Sequence, residues 1–149
     1  MHHKTLLLAY CQQHIAQRLG TITQAQEAIR QALDEETKST AGDKHETGRA
    51  MMQLEQEKLS VQLAEVRQLQ QVLDRIQLED LPPGIGEGSM VKTSQGNYFI
   101  AISAGKLELE NGLYYLVSLA SPIGAALAGH KAGEHISFRG QQVSILEVA

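Results

Sequence analysis

Apolar residues in the first 80 positions recur at spacings of three, four or seven, the pattern of helices that pack along one seam. Two such runs are present, and each predicts a helix of about 30 residues. The first seam comprises Leu8, Ile15, Leu19, Ile22, Ile29 and Leu33, with Gln12 or Gln26 as a polar member. The second comprises Met52, Leu59, Val66, Leu69, Leu73 and Ile76. The pattern therefore predicts a coiled coil built from two long helices.

A small polar segment, Lys38–Lys44, separates the two runs and contains Gly42. Such a segment is typical of a tight connection between helices. A short connection makes the two helices antiparallel. We therefore predict an antiparallel coiled-coil hairpin over residues 1–80. Seams within one chain and between chains look alike in sequence, so the oligomeric state stays open at this point.

The pattern changes after residue 80. Leu81–Gly88 holds two of the three prolines, and ten of the thirteen glycines lie at or after Gly84. This shift predicts a linker over residues 81–88 and a change from helix to strand over residues 89–149. Short runs of strand-forming residues predict five strands, over Ser89–Thr93, Asn97–Ile102, Tyr114–Val117, Glu134–Phe138 and Val143–Val148. The fold class is therefore α+β.

One short helix, Pro122–Ala128, interrupts these strands. Ser121 is a suitable N-cap, Pro122 suits the first helical position, and Gly129 suits the residue after the last turn. Gly140 is expected to take a positive φ in the turn between the last two strands. The predicted core of this domain is aliphatic and comprises Ile100, Ile102, Leu116, Ile123, Leu127, Ile136, Val143, Ile145 and Val148.

Composition narrows the class of protein. Hydrophobic residues make up 42% and charged residues 20%, which argues against disorder along the whole chain. No apolar run approaches the ~18 residues of a membrane span, and the N-terminus lacks the pattern of a secretory signal. The net charge of −4 disfavours sequence-independent DNA binding. The single cysteine, Cys11, excludes an internal disulfide and is expected to be a packed residue. A cytoplasmic location is the default expectation.

The junction of the two helices carries the most notable chemistry. Asp43 and Glu46 are three residues apart where the second helix begins, so both carboxylates lie on one helical face. One interpretation is structural, with Asp43 as the N-cap and Glu46 as its capping-box partner. The other is functional, because two carboxylates can contribute to holding Mg²⁺ but are too few to hold it alone. The acids Asp34–Glu36 could add to this charge or form a solvated face.

Two segments resemble the Gre-type transcript cleavage factors of bacterial RNA polymerase. The tip Gly42-Asp43-Lys44-His45-Glu46 is similar to the tip of the family's hairpin, which carries an Asp and a Glu at this spacing. The segment Leu119–Glu134 resembles the family's C-terminal signature, Ser-Pro-hydrophobic, Ala-Leu, Gly and then Gly-acidic before a strand. The closing strand Val143–Val148 and the order of the parts agree as well.

The resemblance implies a fold, a partner and a set of roles. The fold is a coiled-coil hairpin joined to a C-terminal domain similar to the FKBP-type half-barrel. The partner is bacterial RNA polymerase, whose secondary channel receives the hairpin. Asp43 and Glu46 then help to retain a Mg²⁺ ion in the polymerase active site near the 3′ end of the nascent RNA. Ser121 and Pro122, with Ile123 as a weaker candidate, contact the channel rim.

In this interpretation the polymerase is the enzyme, and the protein is an accessory that stimulates cleavage of backtracked transcripts. It has no cofactor of its own, no membrane contact and no independent DNA binding. The chain departs from the family pattern at Thr47, Ala50 and Ala120, where Asn, Tyr and an Asp or Asn are usual. Two alternatives therefore stand beside it. One is a regulator that occupies the secondary channel without stimulating cleavage, and the other is a coiled-coil structural adaptor.

Overall fold

A computed structural model describes residues 2–37 and 43–149, without the side chains of residues 37 and 43–45. Two long helices, α1 (His2–Thr37) and α2 (Asp43–Asp74), precede a mixed α and β region. Its elements are β1 (Met90–Thr93), β2 (Gly96–Ala101), β3 (Gly105–Leu109), β4 (Gly112–Ser118), α3 (Pro122–Leu127), β5 (His135–Phe138) and β6 (Gln141–Val148). This is an α+β fold, as predicted. No helix in the described ranges has the length and apolarity to cross a membrane.

The chain forms two compact units. The first is Ile15–Leu69, and the second joins the opening turns of α1 to Gln70–Ala149. Among the described residues of the first unit, the buried apolar side chains are Ile15, Ile22, Leu59 and Val66. They recur every seven residues on each helix, and half-buried side chains fill the steps of three and four between them. Because this unit consists of the two helices, their apolar faces are buried against each other.

The two helices of this unit run in opposite directions. Thr23 and Arg30 of α1 line a shared groove with Ser60 and Gln53 of α2. Further along, the Glu36 carboxylate of α1 lies beside Gly48 of α2. Residues late in α1 therefore lie beside residues early in α2, as an antiparallel pair requires. The predicted connection, Lys38–Lys44, lies outside the described residues except for the start of α2.

The seam of α1 differs in detail from the predicted one. Leu7 is fully buried and Leu8 is half-buried, whereas Leu19 is 37% exposed. The seam takes alternating steps of four and three from Cys11 through Ile15, and the next step falls on half-buried Arg18 rather than on Leu19. An arginine can cover a seam with the methylenes of its stem while its guanidinium stays in water. The prediction of Leu19 as a seam residue is therefore wrong.

The polar seam positions and the second seam can also be compared with the structure. Gln12 is exposed and Gln26 is half-buried, so only Gln26 is a polar member of the seam. The predicted seam residues within α2 are all buried or half-buried, whereas Ile76 was wrongly placed on this helix, which ends at Asp74. The buried members are Leu59, Val66 and Leu73. The periodicity therefore located the α2 face correctly.

The second unit contains one six-stranded sheet with the strand order β3-β4-β2-β1-β6-β5. Strands β2 and β4 are parallel, and the other neighbouring pairs are antiparallel. A core cluster on one side comprises Ile85, Val91, Ile100, Leu127, Ile136, Val143 and Ile145. The predicted core residues are buried except for Ile123 and Val148, which are half-buried. The short helix α3 contributes Leu127 to this cluster.

The sheet has one strand more than the sequence predicted. Strand β3 pairs with β4 through a two-residue loop, Glu110-Asn111, which is followed by Gly112. Asn-Gly between alternating residues is a strong indication of a hairpin. The alternation Lys106-Leu107-Glu108-Leu109 also has the two-residue period of a strand. The prediction missed β3 because its charged residues were not recognised as one face of a strand.

The opening turns of α1 belong to the unit that contains the sheet. Leu7 and Cys11 are fully buried, and Leu73 near the end of α2 is 2% exposed. The backbone N–H of Ile102 donates to the Cys11 sulfur. Lys4 is 3% exposed, and burial lowers the pKa of its ammonium group. Cys11 is a packed core residue, as predicted.

Candidate functional site

The predicted carboxylate pair lies at the beginning of α2. Asp43 is the first residue of the helix, so Glu46 falls in its first turn. The Glu46 side chain is exposed, and that of Asp43 lies outside the described residues. Free backbone N–H groups and the helix dipole favour acids at this end of a helix. The helical spacing of three is therefore present, while the capping interpretation of Asp43 stays a prediction.

The acids at the end of α1 differ from one another. Asp34 and Glu35 are exposed, whereas Glu36 is half-buried. A Cβ placed on Gly48 would lie 3.1 Å from Oε1 of Glu36, so the carboxylate lies close to the α2 backbone. Glu36 is thus part of the packing between the two helices. The three consecutive acids are therefore not one uniform solvated face.

Asp43 and Glu46 offer the right kind of ligand for a hard cation such as Mg²⁺, but too few ligands. Carboxylate oxygens are the ligands that Mg²⁺ prefers, and it usually takes the rest of its shell from water and phosphate. Within the described part of the chain, no group of three or more His, Cys, Asp or Glu side chains is placed to hold a metal ion. Two carboxylates are too few to hold Mg²⁺ alone, so a role of Asp43 and Glu46 in binding it stays a prediction.

An open groove of about 890 Å³ lies between the helices further along the first unit. Its lining is polar and comes from both helices, with Thr23, Gln26, Glu27 and Arg30 from α1 and Gln53, Gln56, Glu57, Ser60 and Val61 from α2. The Arg30 guanidinium donates to both Glu27 oxygens, at 2.9 and 2.6 Å, which lowers the pKa of that carboxyl. Sequence reasoning did not indicate this groove, because each glutamine alone reads as an ordinary surface residue.

Within the segment Leu119–Glu134, the residues Ser121, Pro122 and Ile123 each have a structural role at the start of α3. The Ser121 hydroxyl accepts a hydrogen bond from the Gly124 N–H at 3.1 Å and donates to the Ser118 carbonyl at 2.6 Å. Pro122 occupies the first turn of α3 and is exposed, and Ile123 packs partly against the core cluster. The predicted N-cap is therefore confirmed. Ser121 uses its hydroxyl within the domain, which leaves Pro122 as the most exposed of the three predicted contact residues.

Two glycines, Gly124 within this segment and Gly84 before β1, are required by close backbone approaches. A Cβ on Gly124 would lie 2.0 Å from the Ser118 carbonyl oxygen, far inside van der Waals contact. A Cβ on Gly84 would lie 2.5 Å from the carbonyl oxygen of Gly129. The Ile85 carbonyl accepts from the Gly129 N–H at 2.8 Å, which ties the segment before β1 to the end of α3. The residues Ser121–Gly124 therefore have a structural role, because they cap α3 and allow it to pack closely against the Ser118 carbonyl.

Comparisons with known proteins give a limited result. No protein-family model matches the sequence, and no curated protein matches it. The chain is similar to a solved structure described as that of the transcription factor Gfh1, with 22% identity. The similarity covers 87% of this chain and 92% of that chain, with a TM-score of 0.36. The similarity to Gfh1 is therefore weak.

Proposed function

We propose that the protein is a transcription factor that binds bacterial RNA polymerase and presents Asp43 and Glu46 inside the secondary channel. There the two carboxylates stimulate Mg²⁺-dependent cleavage of backtracked transcripts by the polymerase. The observation that carries the proposal is the position of Asp43 and Glu46 in the first turn of α2, where two antiparallel helices meet. The sequence resemblance to Gre-type factors at this tip and at Leu119–Glu134 supports it.

The chemistry asked of the chain is modest. Metal ions at such a site lower the pKa of a bound water and stabilise charge that develops on phosphate oxygens. Asp43 is the proposed direct ligand, and Glu46 is proposed to hold the water or support the metal. Two carboxylates cannot do this without a partner, which is why the proposal makes the protein an accessory and not an enzyme. The Mg²⁺ ion is shared with the polymerase, and no other cofactor is proposed.

We propose that the second unit, which contains the sheet, docks the protein onto the rim of the polymerase channel. Its sheet and short helix agree with the coarse architecture expected from the resemblance, and the FKBP-like half-barrel is the finer fold that we propose. Pro122 is exposed at the start of α3, and its ring offers an apolar contact to the channel rim. Ile123 is half-buried and offers less surface. Ser121 caps α3 and thereby fixes the position of Pro122. We therefore expect Ser121 to affect docking indirectly, by holding Pro122 in place.

The test adds the full-length protein and Mg²⁺ to backtracked polymerase complexes and follows the length of the transcript. The wild-type chain is expected to shorten the RNA. The double variant Asp43→Asn/Glu46→Gln removes both charges at nearly constant shape and is expected to lower the cleavage rate at least about a hundredfold, as loss of key electrostatic groups does in enzymes. Glu35→Gln is the matched control, because it removes an exposed carboxylate from α1 near the same end.

Binding to the polymerase is measured for the same proteins. If the double variant binds core polymerase as tightly as the wild type but does not stimulate cleavage, the carboxylates act in the chemistry. Equal cleavage by wild type and double variant would overturn the proposed role of the pair. Absence of binding by the wild type would overturn the proposed partner.

A regulator that occupies the channel without stimulating cleavage is the second candidate. It is favoured by Thr47 and Ala50, both exposed in the second turn of α2, which replace the polar and aromatic residues usual in Gre-type tips. This candidate predicts polymerase binding and altered initiation with no shortening of transcripts. The coiled-coil adaptor, a hairpin that pairs between chains, is not favoured, because α1 and α2 bury their apolar faces against each other within Ile15–Leu69.

A further inference from the structure

Strand β3 lies at one end of the six-stranded sheet and pairs only with β4 within it. Gly105, Lys106 and Glu108 of this strand are exposed. An edge strand presents unpaired backbone N–H and C=O groups, which form a template for a further strand. The direction of those groups and the charges beside them determine which strand fits.

The hydrogen bonds between β3 and β4 show which groups face outward. The Leu116 carbonyl accepts from the Ala104 N–H at 3.2 Å, so the main-chain groups of Leu116 face β3. Gly105 is the register partner of Leu116, and every second residue of a strand directs its N–H and C=O to the same side. Leu107 therefore bonds toward β4 as well. The main-chain groups of Lys106 and Glu108 face the open edge.

The two charges on this edge are complementary to a copy of themselves. In an antiparallel pairing about a two-fold axis through Leu107, Lys106 of one copy lies opposite Glu108 of the other, and the reverse. A shift of the pairing by two residues in one direction places Lys106 opposite Lys106 of the other copy. The same shift in the other direction places Glu108 opposite Glu108 of the other copy. Like charges directly opposite destabilise a strand pair, whereas opposite charges stabilise it. The register about Leu107 is therefore favoured, because it alone of the three has no like charges opposite each other.

We propose that β3 is a self-association edge, where two copies of the chain pair antiparallel about Leu107 and join their sheets into one. The hydrogen bonds come from Lys106 and Glu108, whose side chains form two ion pairs across the axis. Lys106 is also the register partner of Tyr115, which is 41% exposed, so the ion pairs lie beside an aromatic ring. Half-buried Leu107 and Leu109 gain cover on the other face. This inference goes beyond the proposed function and does not depend on it.

The same charges also protect the edge from unrelated chains. Charged side chains on an edge strand deter indiscriminate pairing, because most partner strands leave the charges unpaired. Five residues per strand bury less area than the ~1,600 Å² of a standard stable interface. We therefore expect a weak dimer with a dissociation constant on the order of 100 µM.

The first test is a disulfide across the proposed axis. In this register Leu107 lies opposite its own copy in a pair without direct hydrogen bonds, where the Cα atoms approach to about 4.5 Å. That distance is within the range of a disulfide. The Leu107→Cys variant of the full chain is therefore expected to form a covalent dimer under mild oxidation at 100 µM protein. Cys11 is fully buried and does not compete.

Leu109→Cys is the matched control, since Leu109 is half-buried on the same face of the same strand. Its copy lies about 13 Å away in the proposed register, too far to be joined. Cross-linking of Leu107→Cys without cross-linking of Leu109→Cys supports the pairing. Equal cross-linking of both variants, or of neither, overturns it.

The second test exchanges the charges. Lys106→Glu and Glu108→Lys each place like charges opposite one another, and each is expected to weaken the dimer at least about tenfold in sedimentation velocity. The double variant Lys106→Glu/Glu108→Lys restores opposite pairs and is expected to return to within about threefold of the wild type. Circular dichroism confirms that each variant is folded. A monomeric wild type at 1 mM, or single and double variants that associate equally, would overturn the proposal.

Discussion

At the residue scale, Cys11 shows how burial changes the chemistry of a side chain. The thiol is fully buried on α1, and burial raises its pKa from an ordinary 9.0 to about 11. The hydrogen bond from the Ile102 N–H acts in the opposite direction but is the smaller effect. Only the thiolate is nucleophilic, so the folded chain holds Cys11 as an unreactive thiol at neutral pH.

This raised pKa predicts a pH dependence of stability. Between pH 9 and 11 the unfolded chain loses the thiol proton while the folded chain keeps it, so the free energy of unfolding falls as the pH rises through this window. The expected loss is about 1 to 2 kcal/mol, and it is measured by urea unfolding at several pH values. Cys11→Ala removes the thiol and is expected to lack this part of the loss. Parallel curves for the two proteins would contradict the prediction.

At the element scale, α1 contains a weak stretch near its middle. Gly20 lies there beside Thr21 and Thr23, whose hydroxyls donate to the carbonyls of Gln17 and Leu19 at 3.1 and 3.0 Å. Such back-bonding threonines and a glycine all have low helix propensity. Among the described residues, no heavy atom beyond the neighbouring backbone of α1 lies within 4 Å of a Cβ placed on Gly20, so a methyl group there would meet no steric obstacle. Packing of the apolar seam, rather than local propensity, holds α1 helical at this point.

Gly20→Ala is therefore expected to stabilise the protein by about 0.5 to 1 kcal/mol, because alanine loses less backbone entropy in a helix. Thermal or urea unfolding of the full chain measures the change. Gly48→Ala is the matched control on α2, where a Cβ would lie 3.1 Å from Oε1 of Glu36 and displace that carboxylate. Its gain is expected to be smaller. An equal or larger gain from Gly48→Ala would show that the Glu36 contact has no energetic weight.

Elements differ in how far the sequence alone predicted them. Helix α3 was located correctly because its cap, first proline and following glycine are local features that each satisfy a backbone requirement. Strand β3 was missed although Asn111-Gly112 is a local hairpin indication, because the alternation beside it carries charges on the exposed side. The α1 seam at Leu19 was misassigned because apolar character was taken to decide the position. There the regular step of the coiled coil placed Arg18 in the seam instead.

At the scale of the whole molecule, the two units differ in the depth of their cores. In the described part of the unit Ile15–Leu69, the buried apolar side chains lie along one seam and are Ile15, Ile22, Leu59 and Val66. The other unit has a cluster of seven buried apolar residues and half-buried neighbours around it. Cores with fewer buried apolar contacts open at lower free energy. The two units are therefore expected to differ in local stability.

Native-state hydrogen exchange tests this difference. Backbone amides of residues 15–69 are expected to exchange faster than the paired amides of β1, β2, β4 and β6. Val66→Ala truncates a side chain that is 1% exposed and is expected to speed exchange within 15–69 while leaving the strands largely unchanged. Val143→Ala, at 3% exposure in the sheet core, is expected to act on the strands. The same increase at all amides for both variants would contradict the division into units.

Much of this architecture follows from local pattern. Helical periodicity, proline and glycine placement and the capping residues located two long helices, a change to strands near residue 80, the α3 helix and most of the sheet core. Each of these features depends on a few neighbouring residues. The conformational preferences of those residues do not depend on tertiary contacts. The spacing of Asp43 and Glu46 on one helical turn belongs to the same class.

Other features required the folded chain. These features depend on residues brought together by folding. They are the covered side of α1, the contact of Glu36 with Gly48, the close approach of the Ser118 carbonyl to Gly124, and the open edge at β3. No local preference encodes such contacts, because they arise from the packing of one element on another. The residues that carry the proposed partner chemistry could thus be named from the sequence, whereas the edge proposed to join two copies became visible only when the order of the strands was known.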